Sequence, residues 1–127
     1  MVQPYLIVLP TEKRGRGVFA ADDISAGTTI EISPVIVMEA ADRAQLDQTK
    51  LHDYIFEWNP DARQCCVGLG YISIYNHANP SNCEYEMDFE NDLMEIKTIR
   101  DIQSGEELFI NYNGSFDDAK PVWFEVQ

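Results

Sequence analysis

Long apolar runs are absent. No stretch approaches the roughly 18 residues that a membrane-crossing helix needs, so no membrane partner is expected. Met1 to Pro10 has neither a basic start nor a small-residue cleavage pattern and reads as the first strand of a soluble, non-exported protein. Basic side chains are scarce, 9 against 22 acidic, and the net charge of −13 repels phosphate backbones. Direct nucleic-acid binding is therefore not expected. A cationic partner would be attracted, although a solvated acidic surface needs no partner at all. Cysteine is limited to Cys65, Cys66 and Cys83, an odd count with two adjacent, which argues against a disulfide framework and suits a reducing compartment. The two histidines and three cysteines show no zinc-ligand spacing, so no metal site is expected. Together these absences predict an intracellular protein, cytoplasmic in a prokaryote or nuclear in a eukaryote.

The 127 residues make a single domain, 1–127, without linker or low-complexity tract, and a chain of this size buries about two thirds of the surface its unfolded form exposes. The expected fold class is mainly β. Leu6 to Leu9, Thr29 to Ile32 and, after Pro34, Val35 to Met38 are short β-prone runs. From Cys83 to Glu90 apolar and acidic residues alternate, the period of a half-buried strand that turns Glu84, Glu86, Asp88 and Glu90 outward together. Asn91-Asp92 supplies a turn into Leu93 to Ile99, completing a hairpin. Only Asp42 to Trp58 has helical spacing, with Leu46, Leu51, Tyr54, Ile55 and Trp58 near one face, Asp42 as cap and Asn59-Pro60 as stop. There is also an internal echo: Asp23 to Ile30 and Asp101 to Leu108 both read Asp-Ile-x-x-Gly-x-x-aliphatic. Glycine after a small residue is turn chemistry, so each copy is expected to turn the chain into a strand.

Three constellations could carry chemistry. Gly15-Arg16-Gly17 would let a ligand approach the backbone closely; alone it is an ordinary turn, and with no third glycine or following helix it is not a dinucleotide fingerprint. Asn76-His77 is followed closely by Asn82-Cys83. Gly105-Glu106-Glu107-Leu108-Phe109-Ile110-Asn111-Tyr112 sets two carboxylates side by side, but neighbours on a strand face opposite ways and cannot easily converge on one bond. In this order and spacing the three resemble the signature of the SET-domain family of protein-lysine methyltransferases, over nearly the whole chain from Gly15 to Phe124. The resemblance implies a β-clip type fold of small twisted sheets around a C-terminal pseudoknot, with the Tyr112 segment threaded beneath the Asn76-His77 loop. The helical stretch near 42–58 would lie within the family's insert, at about 39–70.

The resemblance also implies roles. S-adenosylmethionine would be the cofactor, contacted by Gly15, Arg16, Gly17, Asn76, His77 and Tyr112, and by Trp123 and Phe124 of a tail that could equally anchor in the core. Tyr112 would be the catalytic tyrosine and would line a substrate channel with Ile110 and Tyr54. The Tyr54-Ile55-Phe56 run looks like the family's Tyr-x-Phe, giving Tyr54 a part in catalysis, though helical spacing alone would make it a core residue. The family pattern Asn-His-Ser-Cys-x-Pro-Asn is broken at Ala78, Asn79 and Ser81. Asn79 replaces the cysteine that zinc-binding members use, and no cysteine follows Cys83. Ile110 stands where the family often carries Phe or Tyr; without a phenol to hold a channel water, products beyond monomethyllysine are expected. The partner would be a basic protein or peptide containing lysine, docked on the acid row of Glu84 to Glu90 if that row is more than a solvated face. The expected function is methyl transfer to a lysine ε-amine; the alternative is a non-catalytic SET-like module that binds cofactor or basic tails without turnover.

Overall fold

The computed structural model describes residues 1–112. Nine strands occur there: β1 (Leu6–Pro10), β2 (Arg16–Ala20), β3 (Thr29–Met38), β4 (Ile55–Glu57), β5 (Cys65–Gly68), β6 (Asn76–His77), β7 (Cys83–Asp88), β8 (Leu93–Thr98) and β9 (Glu107–Ile110). They form two sheets, of order β1-β2-β9-β6 and β4-β5-β3-β8-β7.

The repeated turn organises both sheets. Each copy follows a hairpin, β1-β2 or β7-β8, and launches a strand, β3 or β9. The launched strands are exchanged, β3 pairing with β8 and β9 with β2. Where the turns meet, Ile24 and Ile102 trade backbone hydrogen bonds of 2.9 and 2.8 Å. Asp101 Oδ1 accepts the Ala26 N–H at 2.8 Å, and Asp23 Oδ1 accepts the Ser104 N–H at 2.8 Å. Gly27 donates to the Thr98 carbonyl as Gly105 donates to that of Ala20, and both glycines hold positive φ, +77° and +93°. The local arrangement is a pseudo-two-fold, and the expected turn-into-strand role holds at both copies.

The two β-prone runs flanking Pro34 are one ten-residue strand. Pro34 is tolerated because it sits where β3 changes partner from β8 to β5, so its missing N–H falls at the end of one ladder. The expected hairpin is present, with Asp88 opposite Leu93 and Asp92 at φ +53°. The outward row of four acids is cut to three, Glu84, Glu86 and Asp88, on the face of β7 opposite the core-packed Tyr85 and Met87. β7 stops at Asp88, whose carboxylate accepts the backbone N–H groups of Glu90 and Asn91 and the Asn91 amide, while Glu90 belongs to the turn. Glu84 and Asp88 are half-buried, and within β7 only Glu86 is fully exposed.

The single helix expected over 42–58 is also replaced. Helix α1 covers Ala40–Leu46, a 3-10 turn follows at Lys50–Tyr54, and β4 begins at Ile55. Glu39, not Asp42, is the N-cap, and Asp42 closes a capping box from position N3. Thr49 restarts the chain by accepting the Leu51 N–H at 3.2 Å. The β-branched and aromatic pair Ile55-Phe56 gains more as a strand paired with Val67 and Cys66 than as a helix, since α1 buries none of its residues while Ile55 and Phe56 are buried. Such burial is worth about 1.5–3 kcal/mol per side chain.

Candidate active site

The segment 76–82 clasps β9. β6 pairs in parallel with it, Asn76 beside Phe109 and His77 beside Ile110. Farther on, Asn82 donates to the Glu107 carbonyl at 2.9 Å and accepts the Phe109 N–H at 2.7 Å. Between these grips lie the irregular loop and its cis Asn79–Pro80 bond. β9 is thus held beneath the Asn76-His77 loop and emerges as Asn111-Tyr112.

Tyr112 is fixed by three neighbours. Its hydroxyl donates to the Tyr75 carbonyl, its N–H donates to His77 Nδ1 at 3.1 Å, and its carbonyl accepts from the Tyr85 hydroxyl at 3.0 Å. Phe56 packs edge-on against both Tyr112 and Tyr85, at 5.7 and 5.5 Å between centroids. The Tyr-x-Phe resemblance therefore leads to a real contact, made by its Phe56. Tyr54 ends the 3-10 turn, 37% exposed, and lies near enough to Tyr112 to disfavour ionisation of its phenol. Burial, followed by the neighbouring Tyr54, pushes the Tyr112 phenol well above its ordinary pKa, so it stays protonated at neutral pH. His77 is pushed down by burial and then by Arg14, leaving it neutral and Nδ1 able to accept. Ile110 is wholly enclosed in the core cluster against which Tyr112 packs.

The other predicted residues gather on the adjoining face. The Asn76 amide donates to the Arg16 carbonyl at 3.1 Å and to Glu107 Oε2 at 2.8 Å, tying β2, β6 and β9 together. A Cβ on Gly17 would stand 2.4 Å from that Glu107 oxygen and 3.0 Å from Asn76 Nδ2, so a larger residue would displace the Glu107 carboxylate from Asn76. Gly15, at φ +68°, has nothing within 4 Å of a notional Cβ, while its carbonyl accepts from the Thr11 N–H and hydroxyl. Trp123 and Phe124 lie outside the described residues.

Several contributors escaped the motif reading. Arg14 lies over the Phe109 ring, 5.3 Å to its centroid, and donates to the His77 carbonyl at 3.0 Å; its place beside Gly15 was the available signal. Glu106 and Glu107 both border a cleft of about 690 Å³ with Asn82, Pro80 and Phe109. They serve separate partners there: Glu106 is bound to Arg100 at 2.9 Å, which with the Gln103 N–H depresses its pKa, and Glu107 holds Asn76. Among the described residues no three metal-binding side chains converge.

The SET domain family matches residues 15–113. The chain belongs to the SET-domain family. It is 35% identical to a Schizosaccharomyces pombe histone-lysine N-methyltransferase, H3 lysine-37 specific, over 98% of this chain and 80% of that protein. These findings make it an enzyme of the protein-lysine methyltransferase class. A crystal structure from Plasmodium falciparum, of a protein assigned provisionally as a histone methyltransferase, superposes with TM-score 0.66 at 25% identity, covering 87% of this chain and 98% of that one. The Chaetomium thermophilum Polycomb Repressive Complex 2, in an autoinhibited conformation bound to S-adenosylmethionine, contains a region of the same fold. There the TM-score is 0.73 at 21% identity, over 87% of this chain and 15% of that one. The β-rich SET fold is thus the fold of this domain.

Proposed function

We propose that this SET domain transfers a methyl group from S-adenosylmethionine to a lysine ε-amine of a basic protein, with a histone H3 tail as the first substrate to test. The observation that carries this is the fixing of Tyr112 by Tyr75, His77 and Tyr85 beside the Asn76–Gly17 cradle. The cradle suits the cofactor: the Asn76 amide N–H groups are spent on Arg16 and Glu107, leaving Oδ1 as the acceptor that an amino-acid ammonium would need. The space beside Gly15 is open, with nothing within 4 Å of a notional Cβ, and the 690 Å³ cleft is ample for a nucleoside-sized group. When bound, S-adenosylmethionine supplies an electrophilic methyl group on a cationic sulfur.

The protein's task is to present a neutral amine. A lysine of pKa about 10.4 pays roughly 4.6 kcal/mol to be neutral at pH 7. An enclosure of Tyr112, Tyr85 and Phe56 strips water from the ammonium and lowers that cost. The Tyr112 proton is committed to the Tyr75 carbonyl, so the phenol oxygen meets the amine as an acceptor and orients an amine N–H, while the lone pair faces the methyl donor. Glu106 and Glu107 are engaged by Arg100 and Asn76, and neither is assigned as general base; the lysine proton leaves to solvent before the amine is enclosed. The net charge of −13 favours approach of a basic tail. Ile110 brings no hydroxyl to hold a water beneath the amine, so products beyond monomethyllysine are expected.

Incubation with methyl-labelled S-adenosylmethionine and a panel of histone and other basic proteins tests this, with products weighed by mass spectrometry. Transfer by the native chain, strongly reduced in Tyr112→Phe, supports the enzyme. Cofactor binding without transfer to any protein would convert it to a binding module, and monomethyllysine alone after prolonged turnover would overturn the product expectation.

A further inference from the structure

The most enclosed carboxyl group described lies away from the cofactor cradle. Glu31 has no exposed surface, and its oxygens accept three hydrogen bonds: from the Tyr75 hydroxyl at 2.8 Å, from Ser33 Oγ at 2.7 Å and from the Tyr71 N–H at 2.8 Å. Gly70 closes the site, since a Cβ there would lie 2.5 Å from Glu31 Oε2. Tyr75 is itself fully buried and immediately precedes Asn76-His77. The same residue that Glu31 grips by its hydroxyl therefore presents its carbonyl to the Tyr112 hydroxyl, and two positions later His77 takes the Tyr112 N–H.

We propose that Glu31 and Tyr75 are positioning residues for the methyl-transfer reaction: the Glu31 carboxyl fixes the Tyr75 ring, and through it the carbonyl that aims the Tyr112 phenol. The role is separable from fold maintenance because it predicts an effect transmitted only through Tyr112. Loss of the Tyr75 hydroxyl leaves the ring's volume and the Ser33 and Tyr71 bonds to Glu31 in place, so the core stays filled. It frees the 75–77 segment to shift, and small displacements of a catalytic group are costly to turnover.

This inference rests on the reading of Tyr112 as the reacting tyrosine, and two measurements keep the two apart. In the methyl-transfer assay, Tyr75→Phe is expected to lower kcat about tenfold while KM and the calorimetric Kd for S-adenosylmethionine stay within about twofold. In a Tyr112→Phe background the same change should cost nothing further. Ile24→Val, a core truncation at the repeated turn, controls for general loss of stability and should leave kcat within about twofold. Fully multiplicative losses, or a control that slows turnover equally, would overturn the relay. The second measurement is independent of turnover. In protein carrying ring-13C tyrosine, the Tyr112 Cζ resonance, assigned by its disappearance in Tyr112→Phe, should move in Tyr75→Phe and in Glu31→Gln. An unmoved resonance in folded Tyr75→Phe overturns the proposal even if the native chain transfers no methyl group.

Discussion

The two copies of the Asp-Ile-x-x-Gly turn begin alike and end differently. At the second copy the ladder runs without interruption, Glu107 opposite Phe19 and Leu108 opposite Val18, and the strand sends Leu108 and Ile110 inward and leaves Phe109 half-exposed at the cleft. At the first, Thr29 pairs with Lys97 but Glu31 pairs with Ile96, so Ile30 is an inserted residue. This bulge reverses the alternation beyond it: Glu31 and Ser33 turn into the core and Ile32 turns partly out. In the proposed reaction one launched strand carries residues to the reacting centre, and the other buries the carboxyl inferred to support it. A single extra residue separates a strand that builds the site from one that braces it.

The sharpest way to break the comparison is at corresponding positions after the two turns. Tyr112 and Pro34 each lie eleven positions after the aspartate of their turn. Tyr112→Phe is expected to cut kcat roughly a hundredfold, the scale of misplacing a reacting group, with little change in melting temperature. Pro34→Ala should leave kcat within about twofold. Comparable kcat losses in the two variants would mean that the division of labour between the strands is wrong.

The turns themselves should respond as equals. Neither Gly27 nor Gly105 has an atom within 4 Å of a notional Cβ, and both hold positive φ, so alanine at either meets backbone strain without a clash. Each substitution should cost about 1–2 kcal/mol in urea unfolding, but only Gly105→Ala, which precedes β9, should also slow methyl transfer. Stability losses that differ by more than about 1 kcal/mol would end the pseudo-symmetric account. Smaller again are Asp23→Ala and Asp101→Ala. Each removes one exposed hydrogen bond to the opposite turn and should cost about 1 kcal/mol, by equal amounts if the reciprocity is energetic as well as geometric.

The same contrast explains what was legible in the sequence. Turn glycines, the alternating hairpin and the ordered motifs are local signals, and each lies where its chemistry places it. The bulge at Ile30 is not local, because it arises from how β3 meets β8, and nothing in Thr29-Ile30-Glu31 distinguishes an outward glutamate from a buried one. Residues 42–58 misled for a related reason. Helical spacing was read across Thr49, where a new cap and then pairing with β5 take over. Asn76, His77 and Tyr112 converge, and Phe56 of the Tyr-x-Phe run packs on Tyr112, but Arg14 and Tyr85 join them only through contacts between segments distant in sequence.

The finest contrast separates two of the three grips on Tyr112, because one is a titratable group and the other is not. Tyr75 offers a carbonyl, whereas His77 offers a ring nitrogen whose pKa is held below its ordinary value, first by burial and then by Arg14. The unfolded chain therefore binds more protons than the native one as pH falls through about 6.5, so the stabilising contribution of neutral His77 is present above that point and declines below it. Protonation also removes the acceptor that takes the Tyr112 N–H. His77→Asn keeps an acceptor oxygen but cannot titrate, and the carboxylates common to both proteins cancel in the comparison. Between pH 7 and pH 5 the melting temperature of the native chain should fall more steeply than that of the variant. Parallel curves would show that the His77 grip is not proton-sensitive, leaving the Tyr75 carbonyl, with the Glu31 brace behind it, and the Tyr85 hydroxyl as the contacts that govern Tyr112.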